Sequence, residues 1–289
     1  MAFDLLQSHV RDLGGFSVRR LLPAARHTMV GPFIFFDHFG PTELAAGEGM
    51  SVRPHPHIGL ATVTYLFEGS GLHRDSLGSV QVILPGDVNW MVAGRGIVHS
   101  ERTPEADLRR ARVLHGLQIW VALPREQEGC APSFSHHAAP TLPECELAGV
   151  TLRVILGTAF GASSPVPISS PSFYVHARVP AGASLIIPSD YPERAIYPID
   201  ANVLVDGEPV LRHQMAVLEA GVPVQLEAVQ TASVVLLGGN SLESARLLNW
   251  NFVASERSLI ERARSSWASY PNEQFGQVPG ETEWIPLPA

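Results

Sequence analysis

The sequence predicts a mainly β protein made of two copies of one β fold, followed by a short helix. Charged residues fill only 17% of 289 positions against 45% apolar, and 25 glycines and 24 prolines punctuate the apolar runs, which suits short strands and tight turns better than a helical bundle. Turn signals also recur. Tyr65-Leu66-Phe67-Glu68-Gly69 is echoed by Val203-Leu204-Val205-Asp206-Gly207, and Ile83-Leu84-Pro85-Gly86 by Leu218-Glu219-Ala220-Gly221, at a nearly constant offset expected of a repeated unit. Helical spacing is confined to one place. Leu259, Ile260, Ala263 and Trp267 recur on one face, and Ser258 with Glu261 matches a capping box, so one helix is expected near Ser255 to Ser269.

Taken in order, residues 15 to 39 carry an apolar pattern ending in four aromatics between Phe33 and Phe39, a strand buried on both faces with Gly40-Pro41 as its stop. Glu43 to Ser51 reads as a loop. A barrel candidate runs from Val52 to Leu123, and a polar stretch from Pro124 to Pro143, broken by five prolines and glycines, reads as a linker. Apolar strands resume at Val150 to Leu156. The expected division is therefore an N-terminal barrel over residues 1–130, a linker over 131–148, and a second barrel with the helix over 149–289. The tail from Phe275 to Pro288 is expected to lie extended over another surface of the protein.

Net charge is -8, from 20 basic and 28 acidic side chains, which argues against binding nucleic acid by phosphate neutralisation. The start, Met1 to Leu6, lacks a basic segment followed by an apolar core, and no apolar run is long enough to span a bilayer. The two cysteines, Cys130 and Cys145, are expected to be unreactive thiols. These features together predict a soluble cytoplasmic protein.

Chemistry concentrates between Arg53 and Glu101. His55-Pro56-His57 and His99-Ser100-Glu101 are each spaced i, i+2, so on strands both side chains of a pair leave the same face. The strand-like runs between them fold the second pair back toward the first. Three imidazoles and a carboxylate favour a borderline divalent transition metal over calcium or magnesium, and the absence of nearby cysteine disfavours a thiolate zinc site. Four protein ligands would leave two open positions on an octahedral ion. Iron(II) is the first choice, with nickel, manganese, copper and zinc as competitors. Glu101 has a second role open to it, as a general base toward a substrate hydroxyl. The second copy offers Tyr191-Pro192-Glu193-Arg194 in place of the first pair, and its His176 and His213 are solitary, so it reads as metal-free.

These residues resemble the pirin family of the cupin superfamily. The resemblance runs from Arg53-Pro54-His55-Pro56-His57-Ile58-Gly59 through Leu60 to Gly69, continues in Pro85-Gly86-Asp87-Val88-Asn89-Trp90-Met91 and in Ala93-Gly94-Arg95-Gly96-Ile97-Val98-His99-Ser100-Glu101, and extends to His115-Gly116-Leu117-Gln118-Ile119-Trp120 and Trp250-Asn251-Phe252-Val253. It implies an all-β bicupin of two jelly-roll-like cupin barrels, with one metal, usually iron, on His55, His57, His99 and Glu101. The glutamate that cupins generally place soon after the second histidine is absent, Ala61 and Thr62 occupying that neighbourhood, and Glu101 fills its role. Asp37, His38, His73 and Gln118 are candidates for orienting a ligand at the barrel mouth.

The resemblance implies a dioxygenase that opens the ring of quercetin-like flavonols with O2 and releases carbon monoxide. Its partners would be a small aromatic substrate and O2, with no direct nucleic acid and no membrane. The alternative it implies is a redox-dependent regulatory protein that binds a transcription factor or a metabolic enzyme.

Overall fold

The computed structural model describes residues 3–12 and 17–288. Met1, Ala2 and Ala289 lie outside the described residues, as do positions 15 and 16 at the start of the expected apolar pattern. The chain is an all-β protein of two cupin-type units with one α-helix. Each unit is built on a larger sheet and a four-stranded one rather than one closed barrel, and the first also carries the hairpin Leu247–Asn249 and Phe252–Ala254.

One compact unit comprises Arg11–Val18, Asp37–Ala139 and Glu243–Ala289; the other comprises Met1–Val10, Arg19–Phe36 and Pro140–Leu242. The units therefore exchange terminal segments, unlike the contiguous division into 1–130 and 149–289. The physical reason is strand pairing: Phe3–Gln7 pairs antiparallel with Gln214–Leu218 in the second unit's larger sheet. Correspondingly, the helix and tail pack among residues of the first unit, where Phe252, Ile260, Ala263, Trp267, Phe275 and Val278 cluster with Ile58 and Val98.

In the first unit a four-stranded sheet runs in the order Ser51–His57, Ile97–Arg102, Gly71–Asp75, Val80–Ile83. Opposite it lies a seven-stranded sheet in the order Ser133–His137, Val88–Val92, Leu60–Glu68, Arg112–Ala122, Phe33–Leu44, Ser17–Leu22, His9–Asp12, the last three strands each belonging to this unit only in part. Residues 131–148 are thus not a free linker, because Ser133–His137 and Glu144–Leu147 are both paired strands. The polar residues that suggest a linker have partners inside the fold, His136 Nδ1 lying 2.8 Å from Asn89 Oδ1 on the neighbouring strand. Gly40-Pro41 does not stop its strand either. Gly40 takes φ +78 close against the Leu114 carbonyl, where a Cβ would sit 2.1 Å away, and the strand continues to Leu44.

The second unit repeats this plan. Its four-stranded sheet runs Ser184–Ile187, Val224–Glu227, Val203–Val205, Glu208–Val210, the same order of connections as in the first unit. The repeat is real but its register differs from the sequence echo. Gly207 sits in the hairpin equivalent to that of Gly78, and Gly221 in the connection equivalent to that of Gly94 and Gly96. Strand Ser184–Ile187 is therefore the counterpart of Ser51–His57, in place of Tyr191-Pro192-Glu193-Arg194. Where the first unit places imidazoles, the second buries Leu185, Ile187, Val224 and Leu226 in a continuous aliphatic core, each worth about 1.5–3 kcal/mol of apolar burial.

The helix spans Arg257–Trp267 and buries Ile260, Ala263 and Trp267 at the expected spacing. The Ser258 capping box does not form, since Ser258 is already inside the helix and Glu256 is the N-cap, without a side-chain bond. The chain enters the helix instead through Ser255, whose N–H and Oγ both donate to the Glu128 carboxylate, at 2.7 and 2.8 Å.

Candidate metal centre

Strand Ser51–His57 lies at the edge of its sheet, where Pro54 and Pro56 are tolerated because an edge strand has one unpaired side. Alternation then turns His55 and His57 to the inner face. Across the antiparallel ladder His99 stands directly opposite His55, and Ile97 opposite His57, which brings the three imidazoles together from two adjacent strands. The ladder slips between His99 and Glu101. A bulge pairs Glu101 with Val52, so Arg53 and Pro54 are left without regular partners.

One ligand atom from each of His55, His57 and His99 lies within 4.8 Å of the others, and all three residues are buried. Their outer nitrogens fix the tautomers of two rings. His55 Nδ1–H donates to the Arg53 carbonyl at 2.9 Å and His57 Nδ1–H to the Asn251 carbonyl at 3.2 Å, so each Nε2 keeps its lone pair. His57 Nε2 and His99 Nε2 are 3.1 Å apart. Burial holds His55 down to about 4, against which its bond to Arg53 works, and holds His57 and His99 well below the usual range, helped by the neighbouring imidazoles. All three rings are therefore neutral near pH 7. Converging, neutral, lone-pair-bearing imidazoles supported by backbone carbonyls fit a borderline transition metal.

Glu101 stands apart from this trio, outside the set that meets within 4.8 Å. Its carboxyl bonds Thr64 from the opposite sheet, and burial raises it to about 7 against the lowering effect of that bond. Gln118 joins this arrangement, with the Thr64 hydroxyl donating to Gln118 Oε1 at 2.8 Å. His73 lies directly opposite Glu101 on the next strand and Asp75 directly opposite His99. His73 Nε2 is 3.0 Å from Asp75 Oδ2, and the His73 ring lies flat on Phe134 at 4.3 Å with planes 11° apart.

The remaining two candidates separate. Phe39 packs with Leu66 in the interior, so Asp37, two residues earlier, takes the same face and is buried there. His38 takes the opposite face, away from the trio, and its Nε2 meets His115 Nε2 at 2.8 Å. Sequence reasoning missed Thr64, Asp75, Trp120, Phe134 and the Asn251 carbonyl. Trp120 sets its ring edge-on to His57 with centroids 5.0 Å apart. A signal for two of them was present: Thr64 is a polar residue at an inward position of an apolar strand, and Asp75 follows His73 at i, i+2.

The sheet plan and the inward histidine trio define a cupin-type protein with a candidate metal site. Sequence profiles place the family: the pirin profile matches residues 15–121 and that of the pirin C-terminal cupin domain residues 174–273, and the chain belongs to the pirin family. It is 47% identical over 285 residues to a pirin-like protein of Caulobacter vibrioides, covering 96% of each chain. It is 40% identical over 267 residues to a Pseudomonas aeruginosa protein provisionally named a quercetin 2,3-dioxygenase, covering 92% of this chain and 82% of that one. A crystal structure of quercetin 2,3-dioxygenase from Acinetobacter baumannii superposes with a TM-score of 0.93 at 33% identity, over 99% of this chain and 95% of that one. A bacterial pirin from Escherichia coli in complex with nickel(II) shares the fold, with a TM-score of 0.66 at 17% identity over 83% of this chain and all of its own.

Proposed function

We propose that this protein is a mononuclear metal-dependent dioxygenase that opens the ring of quercetin-like flavonols. The ion would be held by His55, His57 and His99 with Glu101 as a fourth ligand, iron(II) first and nickel, manganese, copper or zinc as alternatives. Such an ion, when bound, supplies open positions where substrate and O2 meet. The observation that carries the reading is the pairing of three neutral imidazoles with a carboxyl raised to about 7 on the same face of one sheet. The relatives named for quercetin 2,3-dioxygenase support the substrate class.

The chain's own groups divide the work. Glu101, ionised once an ion is bound beside it, would accept the proton of an acidic flavonol hydroxyl as a general base within hydrogen-bond reach. Thr64 holds that carboxyl in position, with Gln118 beside Thr64. Trp120, edge-on to His57, and Phe134, stacked on His73, are the aromatic rings that would meet a flat aromatic substrate.

The test is to load metal-free protein separately with Fe(II), Ni(II), Mn(II), Cu(II) and Zn(II) and add quercetin under air. Loss of flavonol absorbance with release of carbon monoxide is expected with at least one metal. If every metal gives neither, the flavonol reading fails.

A further inference from the structure

The inward face of strand Ile97–Arg102 carries His99 and Glu101, so its outward face carries Ser100 and Arg102. Both outward side chains end on one residue 179 or more positions away. Ser100, fully buried, donates its hydroxyl to Glu281 Oε1 at 2.8 Å. Arg102 donates Nε to the same oxygen at 2.9 Å and Nη2 to Glu281 Oε2 at 2.5 Å, the two-pronged geometry that fixes a guanidinium against a carboxylate. Glu281 is itself only 8% exposed. A turn presents it: Gly280 takes φ +82, and Glu281 N–H donates to the Val278 carbonyl at 3.2 Å.

The same tail reaches the other ligand strand at the bulge. Pro54, left without a regular ladder partner by the slip between His99 and Glu101, has its carbonyl bonded by Ile285 N–H at 2.8 Å. The Ile285 carbonyl in turn accepts Trp267 Nε1–H at 3.0 Å, tying the tail to the helix. The tail therefore supports both strands from outside at the place where their mutual pairing is interrupted.

We propose that Glu281 is a positioning residue for the metal centre, setting His99 and Glu101 in place from behind through Ser100 and Arg102. The inference rests on the ligand set proposed above. It assigns Glu281 no contact with metal or substrate. Its effect on the ion is transmitted by the backbone of three consecutive residues, His99 to Glu101, whose alternate side chains face the site and the tail.

The test uses full-length protein, stripped and reloaded with Co(II) alone, whose visible bands report ligand geometry. Glu281→Gln keeps the size of the side chain but removes the charge that binds Arg102. It should shift the Co(II) bands and speed metal loss to a chelator by about 10-fold, at a temperature where circular dichroism shows variant and wild type equally folded. Glu283→Gln is the control, because Glu283 also reaches Arg102, at 3.2 Å, but is half exposed and does not touch Ser100. It should match wild type. If Glu281→Gln does not fold, Ser100→Ala is read the same way. Unchanged bands and loss rate in the folded variant, or equal changes in Glu283→Gln, overturn the proposal. Retention of the wild-type Co(II) spectrum by His99→Ala overturns instead the ligand set on which it rests.

Discussion

His55 and His99 face each other across an antiparallel ladder with ring centroids 4.3 Å apart, and His57 completes the trio from two residues along the same strand. Because the convergence comes from strand register, each ring is placed by backbone geometry before any ion arrives.

Replacement of His99 by alanine should accordingly cost more metal affinity than the roughly 10–100-fold typical of losing a supporting partner, since it would remove a proposed ligand outright. Elemental analysis of the purified variant after dialysis, against wild type treated identically, checks this. Full metal content in the variant would remove His99 from the site.

The raised Glu101 carboxyl gives a pH dependence with a definite sign. Between the ordinary carboxylate value of 4.5 and its folded value of about 7, the folded metal-free protein keeps a proton that the unfolded chain has released. Taken alone, this group makes the stability of the metal-free protein fall as pH rises through that window, by about 3 kcal/mol in all; His55, His57 and His99, neutral when folded but protonated in the unfolded chain below their ordinary value of 6.5, act with the opposite sign, so stability should rise with pH up to that value and fall only between it and about 7. Urea melts of wild type and Glu101→Gln between pH 4.5 and 8 separate the two effects: the variant should gain stability with pH more steeply than wild type and lack the fall toward pH 7. Metal uptake below pH 7 should also release a proton from Glu101, while the three neutral imidazoles release none.

Asp75 is fully buried and accepts from the backbone N–H groups of Leu77 and Ser79, at 2.9 and 3.0 Å, besides meeting His73. Asp75→Ala leaves buried His73 without its carboxylate and the Leu77 and Ser79 N–H groups of the turn without their acceptor. A loss of about 3 kcal/mol is expected in denaturant titration. A loss below 1 kcal/mol would show that water readily replaces the carboxylate.

Gly59 approaches the hairpin of Leu247–Asn249 and Phe252–Ala254 so closely that a Cβ would lie 2.0 Å from the Val253 carbonyl, at φ +67. Gly59→Ala should push this hairpin away and with it the Asn251 carbonyl that orients His57. The expected result is both a lower melting temperature and faster metal loss. A variant with lowered melting temperature and an unchanged metal off-rate would separate the hairpin from the site.

Much of this was legible in the sequence because strand physics is local. Alternation alone puts His55 with His57, and His99 with Glu101, on shared faces, and turn residues mark the hairpins between them. What was hidden depended on distant pairing. The bulge opposite Val52, the Asn251 carbonyl behind His57 and the Thr64 bond to Glu101 all join residues far apart in sequence, and no local pattern encodes them. His38, beside Asp37 in sequence, turns by strand alternation to the other face and meets His115. The repeat was recognised from turn glycines, yet short hairpins look alike, so Gly207 was matched to Gly69 when its structural counterpart is Gly78.

The carbonyl that orients His57 belongs to a residue 194 positions further along the chain. At ribosomal rates of about 5–20 residues per second, roughly 10–40 s separate the synthesis of the two. During that interval the nascent chain exposes histidines whose supports have not yet been made. An ion met then at the proposed site would lack the support that the Asn251 carbonyl gives His57, so selection of a metal would belong to the completed chain rather than to its birth.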